Sequence, residues 1–374
     1  MEYWWVLWTG VYSLGLFWAT WKWKGINANP TLLADFPTVS VLVPARNESN
    51  NLPKLLQSLS RQVYPSYWEV IVIDDHSEDN TVEVARSFQK GLELRAISLA
   101  DTAWGQGKKA AITAGMDAAS GDVVITTDAD CWMDSGWLAR MGSSFHSPSV
   151  QLAFGPVTFP VHNFWERWQA LEFWSLIGIG AVTWQAKSPS MCNGANLAVR
   201  KEAFYEVGGY DASKDIPSGD DEFLLHAIVD RFGEKSTQFV KDKSALVFTL
   251  PSFSLGEFVQ QRKRWASKWN LHKKLAPKLT ALAVFGFHIG LLIGCLTTLT
   301  GFLPLIYFAL GLLVKSTAEA IFLKSFSKTY DLKFPLMEFL CWQVLYSIYA
   351  VGIGLAVQQK KYQWKGRNYS SQWK

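Results

Sequence analysis

Two carboxylates, Asp128 and Asp130, follow an apolar run in the stretch ITTDADCWMD. Side chains alternate along a β-strand, so the sequence predicts that these two share one face of a strand end. Converging carboxylates repel each other unless a cation or a hydrogen-bond donor neutralises them. Mg²⁺ or Mn²⁺, held by one or two carboxylates and completed by phosphate oxygens, suits such a pair. A solvated acidic turn is the alternative for an isolated pair of this kind.

Other polar segments also follow apolar runs. VSVLV leads into Pro44, Arg46 and Glu48, and WEVIVI leads into IDDHSEDNT, which contains Asp75. In the glycine-bracketed stretch GQGKKAAITAG, Lys108 and backbone N–H groups could hold phosphate oxygens at a helix start. Three polar strand ends that converge indicate a binding crevice rather than separate turns.

Short β-branched runs alternate with amphipathic stretches between residues 37 and 250. This alternation predicts an α/β domain with a mostly parallel sheet that is covered on both faces. Ligands bind such sheets at the carboxyl ends of the strands, which is where the polar segments fall.

These blocks resemble the family-two glycosyltransferases with a GT-A, Rossmann-like fold. VPARNE, the IDDxSxDxT element, GKKAA and TTDAD correspond to the nucleotide half of that family. CNGANLAVRKEAFYEVGGYD, SGDDEFLL and QRKRW follow in the family's order as an acceptor block, a GEDxxL-like block and a QxxRW element. The resemblance covers residues 39–269 and is specific for the family rather than for the substrate.

The resemblance implies a donor site. Asp75 would hold the base and ribose of a nucleotide sugar, Asp130 would bind the metal directly, and Asp128 would face the ribose or the metal. The residues expected to bind the nucleotide sugar are Pro44, Arg46, Glu48, Asp75, Lys108, Asp128 and Gln261. Mg²⁺ or Mn²⁺ would stabilise the departing nucleoside diphosphate.

The acceptor hydroxyl needs a general base, and the alignment with GEDxxL assigns that role to Asp221. Asp220 replaces the usual glutamate beside it, a departure that puts the role of Asp220 in doubt. Capping of a helix by these carboxylates is the alternative. Arg264 would face phosphate and Trp265 a sugar face, and the acceptor block places Gly194 and Asn196 near the acceptor.

Apolar segments flank the predicted domain. Residues 1–22 form an N-terminal run long enough to cross a bilayer, and residues 279–357 form a longer C-terminal one that Gly301 and Pro304 should break. Between them, residues 251–278 read as an amphipathic helix on the membrane surface. The basic tail, residues 358–374, favours the inside, although three crossings would place it outside, so the number of crossings stays open.

Two features within the apolar regions have structural interpretations. The aromatic stripe NFWERWQALEFW has helical spacing and should pack at the membrane interface or in a core rather than bind carbohydrate. Lys315 and Glu319 stand four residues apart on one helix face, where they should pair with each other.

Composition agrees with a membrane protein. Of 374 residues 49% are apolar, and the net charge of +4 gives no indication of nucleic-acid binding. Together with the apolar segments, the resemblance implies an inverting, metal-dependent hexosyltransferase in the cell membrane with a cytosolic catalytic domain. It would transfer sugar from a UDP-linked donor to a lipid or lipid-linked glycan acceptor. The alternatives are a processive polysaccharide synthase, an inactive membrane scaffold and, less compatibly with the apolar pattern, a transporter.

Overall fold

The computed structural model describes residues 2–27, 35–101, 104–214, 216, 218–266, 275–356, 361–364 and 367–370. In chain order the helices are α1 (Glu2–Gly25), α2 (Leu52–Leu59), α3 (Thr81–Ser87), α4 (Lys108–Ala118), α5 (Trp137–Gly142), α6 (Phe164–Gln185), α7 (Lys201–Glu206), α8 (Asp220–Phe232), α9 (Leu255–Ala266), α10 (Leu275–Leu299), α11 (Leu305–Thr329) and α12 (Leu336–Ala356). The strands are β1 (Val39–Ala45), β2 (Trp68–Asp74), β3 (Leu94–Ser98), β4 (Val123–Thr126), β5 (Trp132–Met133), β6 (Leu152–Phe154), β7 (Val157–Thr158), β8 (Leu197–Arg200), β9 (Thr237–Phe239), β10 (Val247–Phe248), β11 (Lys361–Trp364) and β12 (Arg367–Ser370).

The chain divides into two compact units. The α/β unit comprises Ile26–Pro160 and Leu176–Pro251, and the helical unit comprises Met1–Gly25, Val161–Ser175 and Ser252–Lys374. Helix α6 is shared, because its first half belongs to the helical unit and its second half to the α/β unit.

A seven-stranded sheet forms the centre of the α/β unit, in the order β3-β2-β1-β4-β8-β6-β9. Strands β1 to β4 are parallel, β8 runs antiparallel to both of its neighbours, and β6 pairs in parallel with β9. A second sheet of three short strands has the order β5-β10-β7. The α/β prediction with a mostly parallel sheet is therefore confirmed.

The helices cover this sheet with apolar faces. In α2 the leucines at positions 52, 55, 56 and 59 are all buried, which is the spacing of one helix face. Helix α4 approaches β1 and β2 closely at Gly115, where an added Cβ would lie 2.8 Å from Leu42 Cδ1 and 2.9 Å from Ile73 Cδ1. Glycine at this point lets the last turns of α4 lie directly over the strands.

The amino end of the parallel strands holds a buried polar network around Glu69. Its carboxylate accepts hydrogen bonds from Ser40 Oγ at 2.8 Å, from the N–H of Ser120 at 2.8 Å and from Arg95 Nη2 at 2.6 Å. Burial raises the pKa of Glu69, but these hydrogen bonds more than offset it and lower the pKa below its ordinary value. The network joins β1, β2, β3 and the turn before β4 at the edge away from the predicted crevice.

The helical unit contains three segments that are long and apolar enough to cross a membrane, among the residues described. They are Ala281–Leu299, Leu305–Thr329 and Leu336–Ala356, whereas the aromatic-rich α1 is not among them. The break between α10 and α11 falls at Gly301, with φ of 80°, and at Pro304, as predicted. The predicted crossing by α1 stays a prediction at this point.

A buried ion pair lies within the helical unit. Lys315 Nζ stands 2.9 Å from Glu319 Oε2, so the predicted pairing is confirmed. Tyr12 of α1 donates to Glu319 Oε1 at 2.8 Å, and Lys315 donates to Gln343 Oε1 of α12 at 2.8 Å. The pair thus connects α11 to helices at both ends of the chain.

Candidate active site

The three polar strand ends lie side by side, because β2, β1 and β4 are neighbours in the sheet. Ala45 at the end of β1 is in register with Asp74 of β2, and the N–H of Asp75 donates to the Ala45 carbonyl at 2.8 Å. The N–H of Thr127 donates to the Leu42 carbonyl at 3.1 Å. Parallel pairing therefore brings the three segments to one edge, as expected from their order in the sequence.

The first two segments are fastened to each other. Arg46 Nη1 donates to the carbonyl oxygens of Asp75 and His76, each at 2.8 Å, and Arg46 Nη2 lies 3.6 Å from Glu78. The N–H of Glu48 donates to Thr81 Oγ1 at 2.8 Å. Arg46 therefore orients the loop that carries Asp75.

Glu48 and Pro44 complete this side of the crevice. Glu48 is buried, and its Oε2 accepts from Asn51 Nδ2 at 2.7 Å just before α2. Pro44, within β1, is half-buried. That these residues bind the nucleoside stays a prediction.

The two aspartates of TTDAD lie on a turn beyond the strand. Strand β4 ends at Thr126, and the N–H of Cys131 donates to the Asp128 carbonyl at 3.0 Å, which closes the turn. The prediction assumed that Asp128 and Asp130 lie on a strand, where side-chain alternation would place them on one face. That assumption is wrong, because both residues follow the end of β4. Asp130 Oδ1 instead accepts from Thr249 Oγ1 at 3.3 Å.

Lys108, the first residue of α4, bridges the turn and α8. Its Nζ lies 2.7 Å from Asp128 Oδ1 and 3.3 Å from Asp220 Oδ2. Burial lowers the pKa of Lys108, but the two carboxylates more than offset it and hold the pKa above its ordinary value. The ammonium therefore stays charged and neutralises carboxylates from two different elements. The adjacent Lys109 is buried and donates to the Ser213 carbonyl at 2.7 Å, a structural contact.

Asp220 and Asp221 open helix α8 after Gly219, whose φ of 82° is left-handed. Asp221 Oδ2 accepts from the N–H of Gly194 at 3.1 Å, and its Oδ1 accepts from the N–H of Glu222 at 2.8 Å. Thr126 Oγ1 donates to the Gly194 carbonyl at 2.7 Å, which ties the acceptor block to the end of β4.

Gly194 has no space for a side chain. An added Cβ would lie 2.9 Å from Asp220 Oδ2 and 3.1 Å from Lys108 Nζ. The structure therefore gathers five of the predicted residues into one cluster, which we call the carboxylate cluster: Lys108, Asp128, Gly194, Asp220 and Asp221.

The family of this unit can be read from comparison with known proteins. Residues 40–208 match the sequence profile described as "Glycosyl transferase family 2". This segment is a family-two glycosyltransferase domain. The glycosyltransferase domain thus contains β1 to β8, including Asp75, Lys108 and both aspartates of TTDAD.

Relatives agree with this membership, and a solved structure shares the fold. The chain is 27% identical over 266 residues to "Glycosyltransferase AglE" of Haloferax volcanii, which covers 71% of this chain and 83% of that protein. It is 26% identical over 234 residues to "Beta-monoglucosyldiacylglycerol synthase" of Trichormus variabilis, covering 58% of this chain but only 46% of the relative.

The solved structure is the mannosyltransferase PcManGT of Pyrobaculum calidifontis, in complex with GDP-Man and Mn²⁺. It superposes with a TM-score of 0.60 at 19% identity over 96% of this chain and 98% of that one. At this identity the likeness shows a shared fold, which is GT-A-like in the glycosyltransferase domain.

One predicted acceptor residue of the glycosyltransferase domain is internal. Asn196 is fully buried, and its amide donates to the carbonyls of Pro156 at 2.9 Å and Ala245 at 2.8 Å while accepting from Trp137 Nε1 at 3.0 Å. The geometry therefore contradicts the prediction that Asn196 binds the acceptor. The Asn196 side chain therefore joins the segment before β8 to the turn between β6 and β7, to the turn before β10 and to the start of α5.

The predicted QRKRW residues lie on α9, in the helical unit. Gln261 Oε1 accepts from Ser252 Oγ at 3.2 Å, and the ring of Trp265 stacks on Phe173 with centroids 5.8 Å apart. Arg264 is half-buried. Roles for Gln261, Arg264 and Trp265 in sugar transfer stay predictions.

Arg262, within the same motif, was not selected from the sequence. It is buried and donates from Nε and Nη2 to Glu172 Oε2 at 3.0 Å and 2.6 Å, and its guanidinium lies 4.5 Å from the centroid of Trp265. Glu172, one of two glutamates in the aromatic stripe of α6, is the sequence signal that could have indicated this pair. Arg262 therefore fixes α9 against the first half of α6.

Proposed function

We propose that this protein is a membrane-bound, inverting glycosyltransferase that uses a nucleotide sugar and a divalent metal ion. The proposal rests mainly on the carboxylate cluster. The cluster brings together the Lys108 ammonium, the Asp128 carboxylate as a candidate metal ligand and Asp221 as a candidate base, at neighbouring ends of strands and helices. UDP-linked sugars are the proposed donors, and a lipid or lipid-linked hydroxyl is the proposed acceptor.

Asp128 and Asp130 are the proposed protein ligands of the metal. Among the described residues no group of three His, Cys, Asp or Glu side chains could hold an ion by itself. Two carboxylates on an open turn fit Mg²⁺ or Mn²⁺, which keep places for water and for substrate phosphate oxygens. When bound, such an ion would neutralise charge on the diphosphate leaving group.

Lys108 is proposed to serve the same diphosphate. Its ammonium already neutralises Asp128, and the neighbouring carboxylates hold its pKa above the ordinary value, so it can donate to a phosphate oxygen as a further partner. Asp75, Arg46, Glu48 and Pro44 are proposed to hold the nucleoside at the neighbouring strand ends.

Asp221 is proposed as the general base. The acceptor oxygen would attack the anomeric carbon, its proton would pass to Asp221, and the bond from that carbon to the diphosphate would break. Two N–H groups fix the orientation of the carboxylate that would take the proton. A single displacement of this kind inverts the anomeric centre.

A membrane location supports the choice of acceptor. The helical unit carries three helices of membrane-crossing length, and α9 has the basic residues Lys263 and Arg264 in its last turn, as interfacial helices often do. One relative is named for synthesis of a glycolipid. We therefore propose a cell-membrane protein with a cytosolic glycosyltransferase domain.

The test is a screen of purified full-length protein with nucleotide sugars, Mn²⁺ and extracted membrane lipid. Release of nucleoside diphosphate with a lipid product heavier by one sugar is the expected result. A ladder of product masses would instead support a processive synthase. Absence of turnover with every donor would contradict the proposal and support an inactive scaffold.

A further inference from the structure

Helix α12 carries polar contacts along one side over several turns. Glu338 accepts from Arg167 Nε at 2.6 Å, and Tyr349, eleven residues later, donates to Glu172 Oε1 at 2.5 Å. The ring of Tyr349 also packs against Phe258 of α9, with centroids 5.3 Å apart. These partners lie on the first half of α6 and on the basic helix α9. A helix that crossed the bilayer beside them would carry charged groups through roughly 16 Å of hydrocarbon.

The opposite side of α12 is apolar and exposed. Five of its exposed apolar side chains recur at helical spacing and form one stripe: Met337, Leu340, Val344, Ile348 and Leu355. A helix with charged neighbours on one side and an exposed apolar stripe on the other is typical of an interfacial helix. By length and hydropathy alone, α12 is grouped with the membrane-crossing segments. Hydropathy does not show which side of a helix contacts charged residues.

The directions of the other long helices follow from α1. Near the start of α1, Trp5 lies against Gly294 of α10 and stacks on Phe308 of α11, with centroids 5.1 Å apart. Seven residues later Tyr12 stacks on Phe287 of α10 at 3.7 Å and bonds to Glu319 of α11. Residue numbers fall along α10 and rise along α11, so α1 runs parallel to α11 and antiparallel to α10.

Helix α12 turns back toward the start of α10. Ser347 Oγ lies 3.0 Å from His288 Nδ1, and an added Cβ at Gly354 would lie 2.3 Å from the ring of Phe285. Between these two contacts, residue numbers rise along α12 and fall along α10, so the two helices run in opposite directions. Beyond α12, strand β11 packs on α9, which precedes α10 in the chain. The chain therefore leaves α12 on the side from which α10 began.

We infer that α1, α10 and α11 cross the bilayer, whereas α12 lies along the membrane surface beside α9, with its apolar stripe facing the acyl chains of that leaflet. The start of α1 and the turn at residues 300–304 would then lie on one side. Helix α9 and the basic tail would lie on the other side.

The distribution of charge agrees with this topology. Lys22 and Lys24 follow the crossing part of α1, Lys324 and Lys328 end α11, and five basic residues lie in the tail 358–374. The turn 300–304, TGFLP, contains no charged residue. Basic residues that flank membrane-crossing helices collect on the cytosolic side. If α12 does not cross, the basic tail lies on that side too, and the conflict between its charge and three C-terminal crossings is resolved.

Cysteine labelling tests the topology. It uses the membrane location proposed above but not the sugar-transfer reaction. In a full-length chain whose four native cysteines are replaced by serine, Thr300→Cys, Lys333→Cys and Ser370→Cys are introduced one at a time. Intact cells are treated with a membrane-impermeant maleimide, before and after permeabilisation.

Labelling of Thr300→Cys in intact cells, with Lys333→Cys and Ser370→Cys labelled only after permeabilisation, is the expected result. Labelling of Ser370→Cys in intact cells would show that α12 crosses and would overturn the inference. Equal labelling of all three would contradict the membrane location as well, whereas failed sugar transfer would leave the topology standing. Antibody access to an epitope fused after Lys374 of the native chain gives the same answer if the cysteine-free chain does not fold.

Discussion

At the residue scale, Asp221→Asn replaces one carboxylate oxygen by an amide nitrogen. This substitution distinguishes the catalytic role of the side chain from its structural role. Asp221→Asn keeps an acceptor for the Gly194 N–H but removes the proton-accepting carboxylate. We expect kcat to fall by about 10²–10⁴-fold while nucleotide affinity stays near that of the parent protein. Steady-state kinetics and calorimetric titration with UDP measure the two effects.

Asp230→Asn is the matched control, because Asp230 lies on the same helix at an exposed position. It should keep full activity. Equal loss of UDP binding and turnover in Asp221→Asn would show that the base lies elsewhere.

Lys108 poses a different question, because its charge serves two carboxylates at once. Lys108→Met leaves Asp128 and Asp220 facing each other without a counterion. We expect a loss of about 2 kcal/mol in the free energy of unfolding, below the range of about 3–5 kcal/mol for a fully buried pair, because 18% of the lysine side chain is exposed. Thermal unfolding in detergent measures this loss.

Mn²⁺ makes the Lys108 test specific. Since a bound cation would take over the neutralisation, Mn²⁺ should raise the melting temperature of Lys108→Met more than that of the parent. Lys109→Met is the structural comparison, because it removes a buried lysine of the same helix outside the carboxylate cluster. The same response to Mn²⁺ in both variants would contradict the proposed metal position.

At the element scale, the cluster depends on how closely the acceptor block approaches α4 and α8. Gly194→Ala should force Lys108 and Asp220 apart, because the new Cβ would lie within 3.1 Å of both side chains. We expect kcat/KM to fall by about 100-fold, the usual scale for a misplacement near 1 Å. Gly91→Ala is the control, since an added Cβ there meets nothing within 4 Å. Full activity of Gly194→Ala would mean that the cluster tolerates a wider separation than this structure shows.

The opposite edge of the sheet offers a pH test. The pKa of Glu69 is lowered by its hydrogen bonds in spite of burial, so its contribution to stability is present above the ordinary carboxyl pKa of 4.5 and is lost as pH falls through the folded value. Glu69→Gln should lose about 2 kcal/mol at neutral pH and show a flatter acid limb of stability. Unfolding transitions between about pH 3 and about pH 7 test this. The exposed Glu93→Gln should follow the parent curve, and an unchanged acid limb in Glu69→Gln would refute the assignment.

Local patterns predicted these elements well, and long-range pairs not at all. The strand order along the chain was enough to place VPARNE, IDD and TTDAD at one edge, and spacing alone predicted the Lys315–Glu319 pair. The contact of Lys108 with Asp220 joins residues 112 positions apart, and that of Arg262 with Glu172 spans 90. No periodicity encodes such pairs. Asn196 lies two residues after Gly194 in the same motif and was therefore wrongly assigned to the acceptor site. The sequence did not indicate its hydrogen bonds to distant residues.

At the scale of the whole molecule, metal removal separates catalysis from folding. Treatment of the full-length protein with EDTA should abolish sugar transfer, and Mn²⁺ or Mg²⁺ should restore it, because Asp128 and Asp130 would otherwise meet the diphosphate without a neutralising ion. The melting temperature should change little, since Lys108 already neutralises Asp128. Undiminished transfer in EDTA would rule out the proposed metal dependence.

The buried pair on α11 has a consequence for synthesis of the protein. During translation α1 emerges roughly 300 residues before Glu319, so the phenol of Tyr12 is already in place when the charged middle of α11 arrives. Gln343 of α12 follows and closes the pair from the other side. The earlier segment thus supplies a hydrogen-bond partner for the later one, and a chain lacking α1 should be degraded during membrane insertion rather than lose activity afterwards.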